Sequence, residues 1–447
     1  MNKEYYLLPS NKLRFKHLII YLVVCLCLFS GFLIDDAKTQ IAQKIIDILA
    51  IISSALLIVL ILYYYIYRVR FFSLTLLFSF VFSLIIGLPS IYLFYFKNTD
   101  NDFGIICIWA MLINVVLYLL STKTFYKKEE RRLSNLFYAI FFIAAFCQIY
   151  KVMIYFLFIL NSGAGHLAIY TESEELLSQV PFVIRAISGF TVTMALAVFY
   201  FKSPSIIKFV AFILLASDLI IGIRNKFFFS MICIFILYLY SNEIRVKHIF
   251  KKISKPTVLL VGFILFSLVS YFREGYQINF VNYIGIVLDS LSSTLGGMQN
   301  LFSGQIGSWD KLSPEVVFTQ ILPLSGLGFI NSHQIAKDFS IIVLGDVSSG
   351  IALSSSGLLE STILSLHFGS VFYLIYLIGF ISLITRALNS QKVLINFIAI
   401  SMISGFFYAV RGELILPLAF LLKSLPIVII SPLLVKGHFR ALSVESK

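Results

Sequence analysis

Residues 133–160 read LSNLFYAIFFIAAFCQIYKVMIYFLFIL, an apolar stretch whose single charged residue is Lys151. The charged run KKEERR at 127–132 precedes it directly. A helix needs about 20 mostly apolar residues to cross the hydrocarbon core of a bilayer. This stretch is long enough, so it predicts a transmembrane helix that begins beside a charged loop.

The same pattern recurs along the chain and predicts about twelve transmembrane helices. Soluble proteins have about 45–50% apolar and about 25% charged residues, whereas this chain of 447 residues is 59% hydrophobic and 13% charged. The predicted fold class is therefore all-α, a polytopic membrane helical bundle in which 1–447 forms a single integral membrane domain. The predicted spans are 17–34, 45–67, 71–96, 104–120, 133–160, 183–200, 206–223, 226–240, 257–272, 361–385, 393–410 and 412–435.

Lysine and arginine are concentrated in every second loop between these spans, as at 123–132, 202–208, 245–255 and 386–392. Cytoplasmic loops of membrane proteins are enriched in these residues. We therefore expect a bacterial inner-membrane protein with both termini in the cytoplasm. The net charge of +13 follows from this topology and from attraction to anionic membrane lipid, so no nucleic acid partner is expected.

Two loops on the outer face stand out. Residues 161–182 are polar and acidic, and 273–360 form a much longer loop between the ninth and tenth spans. All five cysteines lie inside apolar stretches, so the sequence predicts neither a disulfide framework nor a zinc site. We expect no metal and no cofactor.

Four arginines fall at the outer ends of spans, against the usual charge bias: Arg185, Arg224, Arg273 and Arg411. The planar guanidinium group matches the oxygens of phosphate groups. Together these arginines would hold a pyrophosphate head group at the outer leaflet. The alternative is that each side chain only extends to the membrane interface and binds no ligand.

The best candidate for a general base is Glu360. It lies where the tenth span begins, and partial desolvation there would raise the pKa of its carboxyl group. His333 in the long loop is the second candidate. For either residue the alternative role is solvation of the loop or pairing with an arginine.

Three charged residues lie inside predicted spans: Lys151, Asp218 and Lys423. Charges at membrane depth are costly and usually have a specific partner or role. Lys151 and Asp218 could pair across helices, either for structure or for function.

In its architecture the chain resembles the O-antigen polymerases (Wzy type), with many spans, a basic cytoplasmic side and a large outer loop late in the chain. The local features that fit are GIRNK at 222–226, YFREGY at 271–276, GLLESTILSLHFG at 357–369 and YAVRGEL at 408–414. The resemblance covers nearly the whole chain, although the long loop carries no recognisable family signature.

The resemblance implies a GT-C-like membrane glycosyltransferase that acts in the periplasm by inverting, metal-independent transfer. Its substrates would be undecaprenyl-pyrophosphate-linked oligosaccharides, which it joins during lipopolysaccharide and surface-polysaccharide biosynthesis. A chain-length regulator is a further candidate partner. On this interpretation Arg224, Arg273 and Arg411, with Arg185, bind the pyrophosphate, and Glu360 or His333 is the base.

Other functions remain open at the level of sequence. A flippase or transporter of lipid-linked oligosaccharides also has about twelve spans, but usually has repeat symmetry and broken central helices. The O-antigen ligase and polyprenyl-phosphate-sugar transferases are further alternatives. The sequence has no Walker A loop, G-x-S-x-G or H-E-x-x-H motif, so neither an ATPase nor a serine hydrolase is indicated.

Overall fold

The computed structural model describes residues 131–162, 173–221, 224–242, 369–410 and 412–436, and also single helical positions at 74, 78, 81, 82, 85, 86, 357 and 361. The spans predicted at 17–34, 45–67, 104–120 and 257–272 lie outside the described residues. So do residues 273–356 of the long loop.

Helices make up most of the described chain, and the all-α prediction is confirmed for this part. The elements in chain order are β1 (Arg132–Leu133), α1 (Asn135–Asn161), α2 (Ser173–Ser178), α3 (Phe182–Ser188), α4 (Thr191–Tyr200), α5 (Ser205–Ala216), a 3₁₀ turn (Ser217–Leu219), α6 (Arg224–Asn242), α7 (Gly369–Leu388), α8 (Val393–Tyr408), α9 (Leu416–Lys423), α10 (Leu425–Leu434) and β2 (Val435–Lys436).

Two helices among the described residues are long and apolar enough to cross a membrane, Asn135–Asn161 and Phe182–Tyr200. The first is α1, and the second consists of α3 and α4 in succession. At about 1.5 Å per residue, α1 exceeds the hydrocarbon thickness of about 30 Å. Membrane-length helices are thus confirmed for the predicted spans 133–160 and 183–200.

The predicted span 412–435 is not one continuous helix. It consists of α9 and α10, whose axes differ by 58°. The break at Ser424 has two causes: its hydroxyl shares a hydrogen bond of 2.6 Å with Thr193 of α4, and Pro426, in the first turn of α10, has no N–H to continue the helical ladder.

Helix α4 lies at the centre of the described bundle. Every residue of α4 is buried, and α4 contacts α1, α5, α6 and α8. By contrast, α1 exposes large apolar side chains such as Phe146, Met153 and Leu160. A continuous apolar surface on a helix of this length is the surface expected to face lipid.

The helices of the bundle begin and end at two distinct ends. At one end, β1 pairs with β2, with Arg132 opposite Lys436, and Lys202 donates its backbone N–H to the carbonyl of Arg131 at 2.9 Å. We call this the basic end. At the other end, which we call the far end, Tyr376 donates to the carbonyl of Leu414 at 2.7 Å.

The bent pair α9–α10 connects these two ends. Helix α9 begins directly after Leu414 at the far end, and α10 leads into β2 at the basic end. The pair therefore crosses the bundle as one bent span and does not return to the end where it began.

Helix α8 approaches the start of α9 very closely at Gly405. A Cβ atom added to this glycine would lie 2.5 Å from the carbonyl oxygen of Leu416 and 2.8 Å from the Cα of Pro417. Both contacts are with backbone, so a side chain there would push the two helices apart. Glycine is thus required for this packing, as small residues commonly are where membrane helices meet.

We predict that Gly405→Ala destabilises the protein by about 1–3 kcal/mol, because the extra methyl overpacks a backbone contact. The melting temperature of the detergent-purified protein measures this effect. The matched control is Gly379→Ala in α7, where an added Cβ meets nothing within 4 Å. That control should be neutral or gain about 0.5–1 kcal/mol from helix propensity. Equal melting temperatures for the two variants would contradict the close approach.

Candidate functional site

A buried ion pair joins three elements near the far end of the bundle. Asp218, in the 3₁₀ turn, is only 2% exposed. Its Oδ2 accepts from Nζ of Lys226 on α6 at 2.7 Å, and its Oδ1 accepts from Nε2 of Gln148 on α1 at 3.0 Å. Both carboxylate oxygens are thereby satisfied, as a charge in an apolar bundle requires.

The partner of Asp218 differs from the one that the sequence indicated. Lys151 was a candidate partner, but the described ion pair within 4 Å is formed with Lys226. Lys151 lies on α1 close to Gln148 and interacts with Asp218 only electrostatically. Lys226 is the partner because α6 begins only a few residues after the 3₁₀ turn that carries Asp218. Lys226, in the first turn of α6, therefore lies close to Asp218.

Three ammonium groups lie within electrostatic range of one another: Lys151 of α1, Lys226 of α6 and Lys423 of α9. We call them the lysine cluster. Lys423 is the last residue of α9, and its Cβ lies 3.8 Å from the position that a Cβ on Gly189 would occupy. The cluster therefore brings together α1, α6 and the α9–α10 bend, beside the junction of α3 and α4.

Positive charge exceeds negative charge in this cluster. Among the described residues, neither Lys151 nor Lys423 has a carboxylate within the 4 Å of an ion pair, and Asp218 is paired with Lys226. Glu413 acts on Lys423 from a longer distance. In the part of the chain that the structure describes, three ammonium groups thus face two carboxylates, Asp218 and Glu413.

The lysine cluster lies well inside a helix of membrane-spanning length, and its residues are at least partly exposed. Lys151 is ten residues from the end of α1 at Asn161, a distance of about 15 Å along the helix. Lys423 is exposed, and Lys151 and Lys226 are partly exposed. Part of each lysine residue therefore lies at the surface of the described bundle.

Only one of the predicted phosphate-binding arginines has a described side chain. Arg185 lies on α3, and its Nε is buried without a hydrogen-bond partner among the described residues. It also acts electrostatically on the Tyr155 hydroxyl of α1. For Arg224 the structure describes only its place as the first residue of α6.

The remaining predicted site residues lie outside the described residues. They are Arg273, Arg411, Glu360 and His333. The structure does describe residues close to Glu360 and Arg411 in the sequence, and these show which segments pack together.

Described residues near Arg224, Arg411 and Glu360 in the sequence pack together at the far end. The ring of Phe229, near the start of α6, stacks on that of Tyr408 at the end of α8 with centroids 5.2 Å apart. The backbone N–H of Gly357 donates to the carbonyl of Ala409 at 3.2 Å. Ser361, which follows Glu360, is buried and donates to the carbonyl of Gly357 at 2.6 Å.

A second, small apolar cluster includes Ile221, three residues after Asp218 in the chain. Tyr155 of α1 packs with Leu176, Val180 and Ile221. Leu176 belongs to α2, so part of the predicted outer loop 161–182 folds into a short helix against the bundle. The polar groups near Asp218 are thus partly shielded from that side.

No family model matches the chain, and neither a curated protein nor a solved structure shows significant similarity to it. Within the described ranges, no group of three or more histidine, cysteine, aspartate or glutamate residues could hold a metal ion.

Sequence reasoning identified Lys151, Asp218 and Lys423 but missed Gln148 and Lys226. A signal for Gln148 was available, because it lies three residues before Lys151 and so shares a helix face with it. Lys226 fell at the predicted start of a span, where a lysine is usually explained by its nearness to the interface.

We predict that Asp218→Ala lowers stability, because it leaves Lys226 without its buried partner. Breaking a fully buried pair costs about 3–5 kcal/mol, and partial exposure of Lys226 reduces this expectation to about 2 kcal/mol. The double variant Asp218→Ala/Lys226→Met should recover part of the loss. Melting temperatures of the wild type, both single variants and the double variant give the coupling energy. Strictly additive effects would contradict the pairing.

Proposed function

We propose that this chain is a surface-polysaccharide polymerase that joins undecaprenyl-pyrophosphate-linked oligosaccharide repeat units in the periplasm. It would transfer the growing glycan from its lipid pyrophosphate onto a new lipid-linked repeat unit, with inversion at the anomeric carbon. The enzyme is a glycosyltransferase of the bacterial inner membrane in this proposal, with about twelve spans and a GT-C-like architecture.

The observation that supports this proposal most is the meeting of several segments at the far end of the bundle. Helix α6, which begins at Arg224, packs through Phe229 on Tyr408, three residues before Arg411 in the chain. Gly357 and Ser361 lie on either side of Glu360 in the sequence; the N–H of Gly357 donates to the carbonyl of Ala409, and the hydroxyl of Ser361 donates to the carbonyl of Gly357. Proposed cations and the proposed base therefore belong to neighbouring segments.

The chemistry of the proposed reaction requires such an arrangement. A base removes the proton of the acceptor hydroxyl while the pyrophosphate departs from the opposite face of the sugar. We assign the base to Glu360, with His333 as the second candidate. Arg224, Arg273 and Arg411, with Arg185, would stabilise the negative charge that develops on the departing pyrophosphate.

Deleting the gene tests the function directly. We predict that the deletion strain makes lipopolysaccharide capped with a single repeat unit, because flipping and ligation of single units continue without polymerisation. Gel electrophoresis of the lipopolysaccharide gives the result, and a plasmid copy of the gene should restore the long chains. Lipopolysaccharide with no repeat unit would instead indicate a flippase or a ligase.

Two substitutions test the proposed pyrophosphate site. We predict that Arg273→Ala and Arg411→Ala each abolish long-chain polysaccharide while the protein remains in the membrane, because each removes a bidentate phosphate contact. The chain-length ladder and an immunoblot of the membrane fraction report the two effects.

The matched control for these variants is Arg386→Ala, which removes an arginine from the last turn of α7 toward the basic end. It should keep the normal ladder. Normal ladders in both Arg273→Ala and Arg411→Ala would remove the arginine hypothesis.

One observation favours a second candidate, a flippase or other transporter of lipid-linked oligosaccharides. Transporters commonly bind their substrates where a membrane helix is broken. The bent span α9–α10 has such a break at Ser424, immediately after Lys423 of the lysine cluster. The deletion phenotype distinguishes this candidate from the polymerase.

A further inference from the structure

We propose that the lysine cluster, formed by Lys151, Lys226 and Lys423, is a binding site for a phosphate or pyrophosphate group carried on a membrane lipid. The site lies within the membrane-spanning bundle and uses none of the four arginines predicted from the sequence. It does not depend on glycosyl transfer, because a protein that only moves the lipid would need the same contacts.

Charge is the first argument for this site. A positive charge at membrane depth is unfavourable unless something compensates it. Of the described groups around the cluster, Asp218 is already paired with Lys226, and Glu413 reaches Lys423 only through a long-range interaction. An anion with at least two negative charges placed among the three ammonium groups would supply the missing compensation.

The second argument is the way Lys226 is held. Its ammonium donates to Oδ2 of Asp218 at 2.7 Å, and the other carboxylate oxygen is fixed by Gln148. An ammonium group has three N–H donors, so two remain for a ligand. Asp218 and Gln148 thus keep Lys226 in place without using up its donors, which is the arrangement of a pre-organised cation.

Accessibility is the third argument. Lys423 is exposed and the other two lysines are partly exposed, so part of each side chain lies at the surface of the bundle, where a ligand can approach it. Lysine binds phosphate as a compact point charge, and three lysines from three elements offer such a group more positive charge than one side chain could.

The surroundings favour a phosphate carried on a lipid. Leu422 and Leu425, on either side of Lys423 and Ser424, are exposed, and so are Ile220 and Phe228 near Asp218 and Lys226. Exposed apolar side chains beside a charged cluster suit a ligand with an apolar tail and an anionic head. Free phosphate would use the same ammonium groups but would gain nothing from this apolar surface.

The test uses the full chain purified in detergent and measures its melting temperature with three probes at matched ionic strength. The probes are inorganic pyrophosphate, polyprenyl phosphate in mixed micelles and phosphatidylglycerol in mixed micelles. We expect polyprenyl phosphate to raise the melting temperature of the wild type. In Lys151→Met and Lys423→Met its apparent affinity should fall about tenfold or more, the usual loss for a charged hydrogen bond.

Two kinds of control separate binding from folding. Lys151→Arg and Lys423→Arg keep the positive charge and should keep most of the affinity, and Lys392→Met removes an exposed lysine at the start of α8 and should behave as the wild type. Should the methionine variants fail to fold, the arginine variants and the salt dependence of the wild-type shift still test the site.

Each outcome decides the proposal. A shift with polyprenyl phosphate that the methionine variants lose supports it, and a similar shift with pyrophosphate shows that the phosphate group alone is recognised. The proposal fails if phosphatidylglycerol gives an equal shift, if Lys392→Met loses the shift as well, or if none of the probes has an effect. None of these results depends on the polysaccharide ladder that tests the polymerase.

Discussion

Keeping charge inside an apolar bundle is the constraint on which the described structure depends. A carboxylate in an apolar bundle needs partners, and the two that Asp218 has come from different helices, Lys226 of α6 and Gln148 of α1. The 3₁₀ turn that carries Asp218 is thereby fixed between them. Because Lys151 shares α1 with Gln148, the same contacts determine where the excess positive charge lies.

The packing of the central helices brings the last member of the lysine cluster into place. Thr193 of the fully buried helix α4 bonds to Ser424, so the break between α9 and α10 is held against the core. Gly405 allows α8 to approach Leu416 at the start of α9. One contact thus positions the beginning of α9 and the other its end at Lys423. The site is therefore a product of helix packing and does not rest on a loop.

The sequence predicted the helical elements well and the tertiary contacts poorly. Apolar length alone located α1 and the helix of α3 and α4, because the bilayer sets that length. The bend at Ser424 was not predicted, because hydropathy averaged over the span hides Pro426 and is insensitive to the hydrogen bond from Thr193 of another helix. Asp218 was recognised as unusual, but its bond to Gln148 joins residues 70 positions apart. A single sequence does not show which residues so far apart in the chain are in contact in the fold.

The strand pair at the basic end has a consequence for how the protein assembles. Ser134 caps the start of α1 and also donates from its backbone N–H to the carbonyl of Leu434 and from its hydroxyl to the carbonyl of Leu433. These partners are 299 residues apart for the hydroxyl contact. Helix α1 is therefore synthesised long before the segment that secures its first turn. This part of the bundle closes only after residues 433–436 have left the ribosome, so truncation near residue 430 would remove the contacts that hold the first turn of α1.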